Sequence, residues 1–175
     1  GQTITLAGAN VNKTVNSFVP NKSIMVGSYF TRYSWPNYDS SGGQFGRWTY
    51  NYDLGDQVGY ISPFSSLGPS RDGRIKPDIA SPGQYLLSAL SSEASPSKNN
   101  IYRLRKYQAM QVTSMAAPNV TGCAALLLAQ SPSLTADQVK NLLTTTAVTD
   151  VNTGTVPNNT FGAGKVNVYR AMAKM

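Results

Sequence analysis

The sequence predicts an α/β layer architecture, and three observations carry that expectation. Short β-rich segments occupy the first half of the chain, and helical patterns occupy the second. Glycine and proline punctuate the connections at short intervals, as in layered domains. A long apolar run, CAALLLAQ at 123–130, follows directly on a stretch of small residues, QVTSMAAPNVTG at 111–122.

The strand candidates come first: Thr3–Leu6, Ile24–Phe30, Gln57–Ile61, Ile79–Ala80 and Tyr85–Leu90. Residues 29–60 hold ten of the seventeen aromatics, including Trp35, Trp48, Tyr50 and Tyr52. A hairpin that packs aromatics across its strands accounts for this richness better than a groove for sugar or peptide. SSEASPSKNN at 91–100 is polar throughout and is expected to form a mobile loop.

Three helices follow. Pro118 lacks the N–H that would bond the carbonyl of residue 114, so it belongs near a helix start. The first helix is therefore expected from about Ser114 to Gln130, and its small and apolar residues imply burial nearly all round. Ser131-Pro132 ends it. Thr135-Ala-Asp-Gln138 is a capping-box pattern, and Val139, Leu142 and Leu143 supply the apolar face of a second helix. The third is expected from Asn167, as its cap, to the C-terminus, after the turn at Gly162-Ala-Gly164.

At 175 residues the chain suits one domain with a sizeable core. It is 41% hydrophobic and only 13% charged, with a net charge of +7. Basic residues cluster only at Arg71–Arg74–Lys76 and Arg103–Arg105–Lys106, with no nucleic-acid motif beside them, so a solvated surface is expected. The lone cysteine, Cys123, excludes an internal disulfide and sits among alanine and leucine as a small apolar residue. No run approaches a membrane span in length. GQTITL lacks an initiator methionine and a signal peptide, and reads as part of something larger.

The chemistry centres on Ser114. A serine at a helix start has a backbone N–H without an intrahelical partner, and the helix dipole favours negative charge there. Both suit an oxyanion formed in acyl transfer. The plainer reading is that Thr113 or Ser114 only caps the helix.

VTSMAAPNVTG resembles the serine motif of the subtilisin-like peptidases, the subtilases, normally Gly-Thr-Ser-Met-Ala-x-Pro-x-Val-x-Gly. FSSLGPSRDGRIKPDIASPG at 64–83 is similar to the family's Phe-Ser-Ser-x-Gly-Pro and Lys-Pro-Asp-Ile-x-x-Pro-Gly segments. IMVGSY at 24–29, SPSLTADQVKNLLTTTA and FGAGKVNVYRAM also resemble family segments and stand in family order. The resemblance covers residues 24–175.

It implies a three-layer α/β fold with a mostly parallel sheet, of which 1–175 is a single partial domain, the C-terminal portion. It implies peptide-bond hydrolysis with Ser114 as nucleophile and backbone oxyanion donor. A peptide or protein substrate and a secreted or cell-surface setting come with it. Family members often bind calcium, but no ligand set is identified here, and Asp53, Asp56 and Asp72 are read as turn and surface residues. No other cofactor, nucleic acid or membrane span is expected.

The departures are as informative. The chain has no histidine and no Asp-Ser/Thr-Gly motif, so two members of the family's triad lie outside it. The chain alone is therefore expected to be inactive, needing the missing N-terminal half of the domain as a partner. A surface left open by that absence favours association with the complement or self-association. Asn10 is the only loosely placed candidate for the oxyanion side chain, without the family's Gly-Asn-x-Gly pattern. Val112 replaces the family glycine, and a β-branched residue there resists a positive φ and adds bulk. That substitution supports an alternative, a non-catalytic subtilase acting as a binding or scaffold protein. A carbohydrate-binding module built on the aromatic segment ranks below both. Asn12, Asn21, Asn119 and Asn158 match glycosylation sequons, and Asn119 is read as structural.

Overall fold

A computed structural model of the chain describes residues 22–32, 34–36, 47–49, 58–97, 100–102 and 106–175. The strand expected at Thr3–Leu6, together with Asn10, Asn12, Asn21, Tyr50, Tyr52, Asp53, Asp56, Arg103 and Arg105, lies outside these residues.

The elements run β1 (Val26–Phe30), β2 (Ser34–Pro36), β3 (Arg47–Thr49), β4 (Ile79–Gln84), β5 (Leu86–Ala89) and β6 (Tyr107–Met110), then α1 (Thr113–Gln130), α2 (Ala136–Thr145) and α3 (Val168–Ala173). β1 and β4 pair in parallel, with Val26 opposite Ile79 and Ser28 opposite Ser81. β2 and β3 are antiparallel and set Trp35 opposite Trp48, which is the hairpin reading of that segment. β5 and β6 form a second antiparallel pair.

Several expectations are corrected. At 58–61 there is a turn and a single bridge from Ile61 to Tyr29 instead of a strand. The segment still serves β1, since Ser62 N–H bonds Ser28 carbonyl at 2.8 Å and Phe30 N–H bonds Tyr60 carbonyl at 2.9 Å. The strand at Ile79 runs four residues past Ala80, and the one expected from Tyr85 starts a residue later. Tyr85 has φ 56°, a left-handed conformation that ends β4 and costs a non-glycine residue about 1 kcal/mol or more. Packing offsets that cost: the ring is buried and meets Phe30 edge-on, with centroids 6.2 Å apart. β6 was not expected at all.

The three helices stand where the sequence puts them. Thr135 caps α2 with a complete capping box: its N–H bonds Gln138 Oε1 at 2.8 Å and its hydroxyl accepts from Gln138 N–H at 3.3 Å. Asn167 caps α3 by accepting from Arg170 N–H at 3.0 Å. Pro118 sits inside α1, just past its first turn, and the helix tolerates it because only the carbonyl of Ser114 loses a backbone donor, at an exposed helix end.

α1 packs on β4 and β1 and against α2 and α3. One core joins Ile79, Val120, Leu127, Val139, Leu143 and Ala171, with Cys123 half-buried beside it. A smaller cluster joins Phe30, Tyr85 and Ala109. α1 is not buried all round, contrary to expectation. Only Ala116, Val120 and Leu127 are fully buried, while Leu126 is 49% exposed and Leu128 39%. Its outer face of small and apolar residues meets no cover among the described residues.

Four ion pairs brace this frame among the described residues, and one corrects the reading of the basic cluster. Lys76 is only 3% exposed and donates to both carboxylate oxygens of Asp78 at 2.7 Å. Lys140 of α2 reaches the same carboxylate at 2.8 Å, and Met25 N–H donates to it at 2.7 Å. Asp78 thus ties β1, β4 and α2 together. Lys165 pairs with Asp150 at 2.6 Å and lies 4.9 Å from the Tyr29 ring centre. Arg74 is also paired, with Asp72 at 2.7 Å, where Asp72 holds the turn expected of it.

Replacing Leu127 or Leu143 with alanine should destabilise the chain by about 2–5 kcal/mol in urea unfolding, whereas Leu126→Ala on the open face should stay within about 0.5 kcal/mol. The acid limb of stability provides a second check. Burial pushes the Asp78 carboxyl up, but hydrogen bonds from Lys140, Lys76 and Met25 outweigh it and hold the pKa below its usual value. A carboxylate with a lowered folded-state pKa stabilises above its unfolded pKa and loses that contribution as pH falls through the folded one. Asp78→Asn should therefore lower stability at neutral pH and flatten its decline in acid, as read by unfolding midpoints between neutral pH and pH 2 or so.

Candidate active site

Ser114 is the second residue of α1 and is exposed. Its hydroxyl makes no hydrogen bond to any described residue. Neither Thr113 nor Ser114 caps the helix. The N-cap is Val112, which supplies no side-chain bond, whereas α2 and α3 are both capped by side chains. The leading N–H groups of α1 therefore lack a side-chain acceptor, and the positive end of the helix faces outward beside Ser114.

Val112 adopts φ −172° and ψ 167°, extended backbone open to any residue. The valine thus meets no conformational obstacle, since the backbone here does not ask for the positive φ that a valine would resist. It remains an apolar side chain, 42% exposed, next to Ser114.

The serine turn is anchored to the end of β4. The pairing of β1 with β4 slips by one residue between Tyr29 and Phe30, leaving Gly83 unopposed. The Gly83 carbonyl then accepts from Val112 N–H at 3.1 Å. A side chain at Gly83 would not fit: its Cβ would fall 2.4 Å from Ser28 Oγ and 2.8 Å from Ala116 Cβ. Behind this contact lies a buried serine cluster. Ser28 Oγ lies 2.8 Å from Ser62 Oγ, and Ser28 N–H donates to Ser65 Oγ at 3.0 Å. From the other side, Asn119 Nδ2 donates to the carbonyls of Pro82 at 2.9 Å and Met115 at 3.1 Å. Both amide hydrogens are engaged in this arrangement, as they are at Asn158, which donates to Thr153 and Thr155 carbonyls.

Ser114 is legible in its sequence motif, whereas Gly83, Ser28 and Asn119 are not legible there as its supports. The signal was available in part, because Ser81-Pro-Gly83 and the small residues of α1 are the two surfaces that meet. Among the described residues, none hydrogen-bonds the Ser114 hydroxyl as a base would. Histidine is absent from the sequence, and Lys76, Lys140 and Lys165 are each paired with an aspartate. Burial pushes the Cys123 thiol pKa up, which keeps it protonated and unreactive. Among the described residues, no three or more His, Cys, Asp or Glu side chains converge as a metal site. No helix among them is long and apolar enough to cross a membrane.

Known proteins resemble this chain in both sequence and fold. The family model described as "Subtilase family" matches residues 6–164. The serine protease AprX of Bacillus subtilis is 42% identical over 119 residues, covering 64% of this chain and 25% of AprX. The minor extracellular protease Vpr of the same organism is 34% identical over 122 residues, covering 68% of this chain and 14% of Vpr. Among solved structures, fervidolysin from Fervidobacterium pennivorans, a keratinolytic enzyme related to subtilisin, superposes with a TM-score of 0.59 at 26% identity. That match takes in 87% of this chain and 19% of fervidolysin. The chain thus spans a quarter or less of the length of each relative. The mixed helix and sheet, the parallel β1–β4 pair and the matched motifs agree: the chain is part of a subtilisin-like α/β fold and belongs to the subtilase family.

Proposed function

We propose that this chain is the serine-bearing part of a secreted or cell-surface subtilisin-like serine endopeptidase, with Ser114 as its nucleophile. The observation that carries this reading is the setting of Ser114: exposed, in the first turn of a helix without a side-chain cap, inside the family's serine motif. The extracellular setting of Vpr supports the proposed location.

In this reading Ser114 Oγ attacks the scissile carbonyl of a peptide while a base takes its proton. The oxyanion that forms meets the Ser114 N–H and the positive end of α1. Collapse expels the amine, which leaves with the proton, and water then releases the acyl group from Ser114. The base and its orienting carboxylate come from the missing N-terminal half of the domain. Asn10 is the chain's own candidate for a second oxyanion donor. Without a base, Ser114 stays a protonated alcohol and a weak nucleophile. The open outer face of α1 is consistent with a complement that covers it, which is also the partner this reading requires.

A fluorophosphonate probe tests the proposal directly. It should fail to label the chain alone, yet label the full-length gene product at Ser114 and not its Ser114→Ala variant. Ser114-dependent labelling of the chain alone would show that no outside base is needed. A full-length protein that stays unlabelled would instead favour the binding or scaffold role.

A further inference from the structure

We propose that Asn119 is a positioning residue for Ser114, an inference that rests on Ser114 being the nucleophile. The first turn of α1 is the weakest part of that helix. Pro118 deprives the Ser114 carbonyl of its backbone donor, and no side chain caps the helix start. The orientation of this turn is instead set from outside by β4.

Two hydrogen bonds do this, and they flank the serine. Two residues before it, Val112 N–H donates to the Gly83 carbonyl at 3.1 Å. Five residues after it, Asn119 Nδ2 donates to the Pro82 carbonyl at 2.9 Å. The same nitrogen also donates to the Met115 carbonyl at 3.1 Å, so one amide joins the strand to the residue next to the nucleophile. The close approach of Ala116 to Gly83 supplies the third point of contact. Three contacts fix both the height of the turn over β4 and its rotation about the helix axis. Removing the Asn119 bonds leaves the rotation free on one side, and that rotation sweeps the Ser114 hydroxyl across the attack position.

Asn119 is itself exposed, so its side chain contributes through these bonds and not through buried apolar area. The role requires a donor. Two carbonyl oxygens face Nδ2, and an acceptor placed there would be repelled by both.

The test uses the full-length gene product, its fluorophosphonate labelling rate and its steady-state hydrolysis of a peptide substrate. Asn119→Ala should lower the labelling rate and kcat by roughly tenfold to a hundredfold with KM unchanged, the scale expected for a nucleophile displaced by about 1 Å. Asn119→Asp, nearly identical in size, should react no faster than the alanine variant. Asn119→His, which restores a ring N–H at similar reach, should recover most of the rate. Equal rates for wild type and the aspartate variant would overturn the positioning role, as would a rate loss that merely follows the fraction of folded protein in a thermal melt. If the wild type itself shows no Ser114-dependent labelling, the nucleophile assignment fails and the positioning role falls with it. Normal wild-type labelling with unaffected Asn119 variants removes the positioning role alone.

Discussion

The contact between α1 and the end of β4 depends on an atom that Gly83 does not have. Helix and strand meet there closely enough that any Cβ would collide with Ser28 Oγ and Ala116 Cβ. The same residue sits at the slip in the β1–β4 register, so its carbonyl turns away from the ladder toward Val112. Close packing and a freed acceptor thus come from one position, and both act on the turn that carries Ser114. The buried Ser28–Ser62–Ser65 cluster extends the effect, because small hydroxyl side chains bond to one another where larger ones would push the strand away.

The arrangement is rigid on one side and open on the other. Ile79, Leu127, Leu143 and Ala171 close an apolar core beneath α1, while Asp78 joins three elements at its edge. The opposite face of the helix exposes leucines that a finished domain ordinarily covers. Chemistry and packing therefore give the same account. The chain has no histidine to serve its serine, and among the described residues the outer face of its serine helix has no cover.

The sequence revealed what local rules govern. The capping box at Thr135, the cap at Asn167 and the proline at 118 are short-range signals, and the three helices follow from them. The motif around Ser114 is equally local. Parallel pairing is different: Val26 meets Ile79 across 53 residues, and nothing in either segment states the register. β6 has the undistinguished sequence YQAM and exists because β5 pairs with it. Tyr85 adopts a backbone angle that its residue type disfavours, so only tertiary packing could place it. Lys76 pairs with Asp78 only two residues on, but its burial comes from tertiary packing that a short basic cluster does not announce. The burial expected around α1 was drawn from a pattern of small and apolar residues on every face. That pattern describes what the helix surface suits, and this chain covers only part of it.

The far side of β4 is completed late in the chain. Ala80 N–H bonds the Gly164 carbonyl, and its own carbonyl accepts from Val166 N–H. On a ribosome, α1 and its serine are therefore made well before residues 164–166 can close that edge. At about 5–20 residues per second, the delay amounts to several seconds. During that interval an unpaired strand edge and an apolar helix face are exposed together on the nascent chain. Residues 164–166 act as a clasp on that edge, and the timing of their synthesis determines how long the half-built sheet stays open.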